Sequence, residues 1–401
     1  MISSKTSNNI YKFISIVFLV FISISSYCLY YNFSIPIWDN NDGFPSDVPS
    51  HFNSALINDG YSLAHICMKI VNKMGFVQFL LPLMFVAVIL VTVLFTYIFI
   101  RVVIKDKIIF NKWKTLLISC TFIFICNIYI PFFWEHLYDP ISFCSQPWHN
   151  STYLFMRMFS IVAVFSFIIL YKNRYSKISM RWWIIFTVAM LLTNFSKPNF
   201  CLSFIPAIAT FILIELIISK LKLWKFCIRL LLSIIISSMV MVIPFFLVYK
   251  TGSDSHIGIT LFRVREYFLN PSIIWSLFSN FLFPVLVSIL LFVCRIWKKD
   301  NDECNILLMF WIMVAISMFE NALLGDIGPR LDHGNYTWGS FVCLFILFLY
   351  CYCELCIYKK PIYRIKLGVQ IYWATQVIYF LYVLCGFSYY WYLLNGGIWM
   401  V

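Results

Sequence analysis

Charge is what this chain has least of. Only 12% of its 401 residues are Asp, Glu, Lys or Arg, while 62% are apolar and the mean hydropathy is +0.86. A soluble domain of this size would not have that balance. Also missing are a glycine-rich phosphate loop, a zinc-ligand spacing, a dinucleotide fingerprint and a nucleophile elbow, which points away from ATP-driven transport. No period of 20 to 50 residues repeats. No polar stretch is long enough for a separate soluble domain, so residues 1–401 read as one integral membrane domain.

What is present is a series of long apolar runs. A bilayer core takes about 20 apolar residues per helix. On that measure the sequence predicts an all-α polytopic bundle of about 11 spans, near 10–32, 76–100, 115–134, 152–171, 182–195, 200–219, 230–249, 273–296, 304–324, 338–357 and 368–394. The first run is too long for a cleaved leader and ends in Tyr-Cys-Leu-Tyr-Tyr, so it reads as an anchor. Most of the 14 cysteines lie inside spans and read as small buried hydrophobes. Cys67 and Cys144 fall outside, and the sequence neither requires nor forbids a bridge between them.

The charges that do occur are sorted by side. Twenty-two of the 30 cations fall at the N-terminus or in the alternate loops 101–114, 172–181, 220–229, 295–299 and 359–366. By the positive-inside rule those loops are cytoplasmic, the N-terminus included, and the protein is a multi-pass cell-membrane protein with its other face extracytoplasmic. The net charge of +13 is then a topology signal, and no nucleic-acid partner is expected. All six histidines and eleven of the 17 acids map to the other face, so proton-transfer and anion-binding chemistry is concentrated there.

Two stretches of that face stand out. The first outer loop, 33–75, carries Pro-Ser-Asp47-Val-Pro-Ser-His51 at a helix start, where Asp47 or Ser46 can cap and proline is tolerated in the first turn. Its second half repeats Leu63, Ile66, Cys67, Ile70, Val71 and Met74 at helical spacing, with His65, Lys69 and Lys73 opposite. The loop is thus predicted to hold two short amphipathic surface helices, the second lying apolar side down on the leaflet with its lysines toward headgroups. The other stretch, 325–339, has four glycines and a proline among fifteen residues together with Arg330, Asp332 and His333, and reads as a shaped loop.

Further candidates sit at span ends. His149 precedes span four, and Arg157 lies one to two turns below that span's start. An arginine inside hydrocarbon costs roughly 2.5–3.5 kcal/mol on insertion scales, so it should face a cavity or partner. Lys197 occupies the polar break between spans five and six, Glu320 ends span nine, and Arg263 and Arg265 belong to a short segment expected over the cavity mouth. Glu215, near an inner end, reads as a structural pair or a protonated carboxyl.

A carboxylate beside several cations and histidines suits group transfer from a lipid-borne phosphate: the carboxylate takes the acceptor's proton and the cations neutralise the departing phosphate. The order of a first span, an outer loop with Asp47 shortly after it, two flat helices, and then many spans with short loops resembles the GT-C superfamily of polytopic glycosyltransferases. The resemblance implies that Asp47 is the general base and that the donor is a polyprenyl-phosphate-linked sugar. Its partners would then be that donor, a glycan or lipid acceptor of the cell envelope, and the membrane lipids. His51, His149, Arg157, Lys197, Arg263, Arg265, Glu320, Arg330, Asp332 and His333 are the expected substrate-binding residues. The chain departs from the paired-acid form of some members, since Val48 follows Asp47. No metal ligand set is expected, although the chemistry leaves room for a divalent cation. A polysaccharide polymerase or ligase is the alternative enzyme, and a lipid-linked oligosaccharide flippase the alternative transporter; a transporter should carry its polar residues at mid-span, and here they lie at one end.

Overall fold

The computed structural model describes residues 4–39, 43–57, 61–104, 111–128, 148–250, 256–260, 271–296, 301–327 and 336–397. These form fourteen α-helices and one two-stranded ribbon. In chain order the helices are α1 (Ser4–Ser34), α2 (Val48–Leu56), α3 (Leu63–Met74), α4 (Val77–Ile104), α5 (Lys112–Thr121), α6 (Ser151–Lys172), α7 (Met180–Ser196), α8 (Asn199–Ile218), α9 (Trp224–Lys250), α10 (Pro271–Val293), α11 (Asn301–Leu323), α12 (Thr337–Ile357), α13 (Lys359–Ile362) and α14 (Lys366–Leu394). A helix stands at each expected apolar run. Among the described residues, α1, α4, α6, α8, α11, α12 and α14 are long and apolar enough to cross a membrane.

The bundle is built around α12. Its sequence is apolar on every side, and side chains from Thr337 to Leu355 are buried all round the helix, as expected of a helix with no solvent or lipid face. It packs against α4, α6, α8, α10 and α11. The peripheral helices instead keep one apolar face outward: Phe13, Val17, Val20 and Ile24 on α1, and Trp373, Val377, Phe380 and Leu384 on α14. That is the surface a bilayer covers. Small residues set the closest approaches. A Cβ on Gly339 would lie 2.9 Å from the carbonyl oxygen of Asn199, so the start of α8 can meet the start of α12 only because residue 339 has no side chain.

One expectation is corrected. The predicted third span does not continue as one helix: α5 stops at Thr121, a 3-10 turn covers Phe122–Phe124, and extended backbone follows. This stretch is enclosed, with Phe122 packed on Phe345, Tyr352 and Tyr379 and the Cys126 N–H donating to the Tyr382 carbonyl of α14. Irregular backbone is tolerated at membrane depth where protein supplies its hydrogen bonds. The apolar residues of α3 divide between protein and the outside. Its buried side chains are Ala64, Met68 and Val71, set against the bundle, while Ile66, Ile70 and Met74 are exposed and His65 turns toward α2. The fold is all-α as expected, with one small ribbon added: β1 (His256–Ile259) pairs antiparallel with β2 (Leu324–Ile327), Gly258 opposite Gly325. Cys67 is a free thiol, and Cys144 lies outside the described residues.

At the end of the bundle where α6 and α8 finish and α11 begins, the charged residues pair. Arg174 reaches Asp302 at 2.9 Å and Glu215 at 3.3 Å, and Lys172 meets Glu303 at 2.6 Å. Tyr171 donates to Glu215 (2.8 Å) and Tyr350 to Glu303 (2.7 Å). Glu215 is therefore a member of a structural network that ties three helix ends together.

Candidate functional site

The polar residues of the opposite end gather at the starts of α2, α6, α8 and α12. Asp47 is the N-cap residue of α2, yet its side chain makes no capping bond. Ser46 takes that role, its Oγ accepting from the Val48 N–H at 3.0 Å. The Asp47 carboxylate is turned instead to α6, where Oδ2 accepts from Asn150 Nδ2 at 2.9 Å. Asn150 can offer that N–H because its other end is fixed: as the N-cap of α6, its Oδ1 accepts from Tyr153 N and from Thr152 Oγ1, both at 2.9 Å. The cap of one helix thus orients the carboxylate at the start of another.

His51 lies one turn along α2 from Asp47 and is bonded through Nδ1 to Ser151 Oγ at 2.5 Å. Its ring meets that of His65 edge to face at 5.3 Å. His65 closes a capping box on α3: the Ser62 N–H donates to its Nδ1 and the Ser62 hydroxyl lies 2.6 Å from the same atom. A backbone N–H can donate only to a bare nitrogen, which places the His65 proton on Nε2.

Lys197 joins α7 to α8 in extended conformation, with Pro198 opening the next helix. Part of the residue is exposed, but its ammonium end is enclosed, 4.6 Å from the Trp338 ring centre and 3.5 Å from Thr152 Oγ1. The ring of His149 meets that of Trp338 edge to face at 5.9 Å. Desolvation lowers Lys197 to about 7, with the Asp47 carboxylate pulling the other way. Burial lowers His51 to about 3, helped by His65 and Lys197. Burial likewise lowers His65 to about 4 and His149 to about 3, each repelled in turn by Lys197. The result is one carboxylate, one enclosed lysine and three neutral imidazoles contributed by α2, α3, the lead into α6, and the α7–α8 break.

The structure therefore brings together Asp47, His51, His149 and Lys197 from the sequence-predicted set. Arg157 is fully buried two turns into α6, its guanidinium 4.9 Å from the Phe345 ring centre. Phe345 is seven residues below Trp338 on α12, so Arg157 lies on the same seam as Lys197 but roughly 10 Å deeper. Glu320 does not join the group: it accepts from Ser203 Oγ at 2.5 Å where α11 meets α8. Arg263, Arg265, Arg330, Asp332 and His333 lie outside the described residues. Asn150, Ser151, Thr152, His65 and Trp338 belong to the site without having been predicted as site residues. The N-cap pattern at 150–152 carried a signal for the first three, whereas nothing local marks Trp338. Among the described residues no group of three or more His, Cys, Asp or Glu side chains is arranged to hold a metal ion.

The fold defines a polytopic helical membrane protein with a polar cluster at one end of the bundle. Compared with known proteins, the chain matches no family model, no curated protein and no solved structure.

Proposed function

We propose that the protein is a membrane glycosyltransferase of GT-C type, moving a sugar from a polyprenyl-phosphate-linked donor to a cell-envelope glycan, lipid or polymer acceptor. The ten long helices are read as spans and α5 with the enclosed backbone after it as a further crossing, with the N-terminus cytoplasmic and the Asp47 cluster extracytoplasmic. The separation of the two ends supports this: ion-paired helix ends carrying Lys172, Arg174, Glu215, Asp302 and Glu303 lie at one, and Asp47 with the histidines at the other.

The observation that carries the reading is that Asp47, which could have been a helix cap, is released from capping and held by Asn150 beside an enclosed lysine. In the reaction Asp47 takes the proton of the acceptor hydroxyl. The acceptor oxygen bonds to the sugar's anomeric carbon while that carbon's bond to the phosphate oxygen breaks. The polyprenyl phosphate leaves with the electron pair, facing Lys197. Lipid extracts of native membranes with and without the protein, analysed by mass spectrometry, test the reading. A lipid-linked saccharide should accumulate when the protein is absent; an unchanged lipid-linked pool would refute it.

A further inference from the structure

Lys197 is placed where a permanent positive charge is poorly supported. Its ammonium end is enclosed, and its described partners are an aromatic face and one hydroxyl at 3.5 Å. A cation over a tryptophan face gains about 0.5–2 kcal/mol, well short of what hydration supplied. The imidazoles that face it, His51 from α2, His65 from α3 and His149 from the lead into α6, are neutral there and supply no counter-charge. Arg157 of α6 lies deeper on the same seam, and α12 contributes only uncharged aromatic surface through Trp338. Among the described residues Asp47 is the one carboxylate acting on it, and Asp47 is already engaged by Asn150. A side chain so balanced changes its protonation when a new charge arrives next to it.

We propose that Lys197 is a proton-coupled phosphate clasp, which takes a proton from solvent as a phosphate enters the cluster and returns it when the phosphate leaves. This rests on the reading of the cluster as the site of a lipid-linked phosphate. The step is balanced without another reactant: the neutral amine gains a proton from water or buffer, no other bond forms or breaks, and the phosphate dianion supplies the charge that holds the ammonium. The lowered value of Lys197, about 7, places the free lysine largely neutral above that pH. A dianion beside it raises that value, so the bound lysine is charged.

The consequence concerns the order of charge in the reaction. A donor sugar phosphate is a diester with one negative charge, while the departing polyprenyl phosphate is a monoester that carries close to two, its second pKa being near 6. The clasp is strongest when the second charge appears, at bond cleavage, which is where stabilisation accelerates the step. Release of the product then returns the proton and loosens the site.

Calorimetric titration of the purified full chain at pH 8, in two buffers of different ionisation enthalpy, counts the protons taken up. The probes are farnesyl phosphate and inorganic phosphate, both dianionic at this pH, so a proton gained is gained by the protein. The expected result is uptake of about 0.9 proton per phosphate bound, with affinity falling close to tenfold per pH unit above 8. Lys197→Arg, which stays charged, should bind with near-zero uptake and little pH dependence. Uptake with farnesyl phosphate alone assigns a lipid headgroup, and uptake with both probes assigns a general phosphate site; either supports the clasp. Phosphate binding by the unaltered protein with no proton uptake overturns the clasp and leaves the glycosyltransferase reading standing. Uptake that persists in folded Lys197→Arg overturns it as well, by moving the proton to an imidazole. A folded protein that binds neither probe overturns both proposals.

Discussion

Asn150 donates a hydrogen bond from its side-chain amide to the Asp47 carboxylate at 2.9 Å across 103 positions of sequence, while its carbonyl oxygen caps α6. One residue therefore sets both where α6 begins and which way the carboxylate points. Asn150→Asp separates the two duties. Aspartate still caps α6, so thermal stability should change by less than about 1 kcal/mol. It cannot donate to Asp47 and places a like charge beside it, so turnover should fall by roughly tenfold or more, with the acidic limb of the pH profile moved upward. Unchanged turnover would make the Asn150 contact incidental.

All three imidazoles bear on stability, His51 and His149 over the widest pH range and His65 over a narrower one. A histidine whose folded-state value lies below 6.5 contributes nothing while both states are neutral, but as pH falls below 6.5 the unfolded chain takes up protons that the folded chain refuses. Stability is therefore present above pH 6.5 and lost progressively toward the folded values of about 3 for His51 and His149 and about 4 for His65. The slope should approach about 1.4 kcal/mol per pH unit for each of the three. Thermal melts in detergent between pH 7.5 and 4.5 should show a falling Tm, with a shallower fall in His149→Gln. A flat profile would mean that the imidazoles are hydrated.

Much of this arrangement was legible in the sequence. The apolar runs placed the helices, Ser46 and Asp47 marked the start of α2, and the polar break at 194–199 marked Lys197. The polar break read correctly because proline and flanking polar residues signal a helix end locally. What was not legible depends on partners far along the chain. The hydrophobic repeat of α3 did not reveal which apolar side meets protein and which stays exposed, because Ile66 and Met68 are alike until α2, α4 and α6 are in place. The early end of α5 is set by α14. Trp338, one aromatic among many, gains its role only when Gly339 lets α8 approach and brings Lys197 over the ring.

That approach of α5 to α14 is itself testable. A Cβ on Gly386 would stand 1.4 Å from the Phe124 carbonyl oxygen, a position no atom can occupy. Gly386→Ala must push the Phe122–Phe124 turn off its aromatic neighbours and should lower Tm by several degrees. A wild-type melting curve for Gly386→Ala would show that the turn does not sit against α14 as described.

At the other end, Arg174→Met leaves Glu215 without its cation while Tyr171 still donates to it. Removing one partner of a buried pair destabilises by roughly 3–5 kcal/mol. The double variant Arg174→Met with Glu215→Gln should recover much of that loss, and neither should alter phosphate affinity per folded molecule. A single variant as stable as wild type would reduce the network to surface pairing.

The most direct measurement returns to Asp47. Asp47→Asn keeps the shape and leaves the Ser46 bond that caps α2 in place, but removes the only negative charge the base needs. In cells lacking the native protein, Asp47→Asn present at the wild-type level of folded protein should leave the same lipid-linked saccharide accumulated as in cells with no protein at all, turnover being reduced by roughly 10² or more. If Asp47→Asn clears that saccharide as wild type does, Asp47 is not the base and the account of the cluster fails.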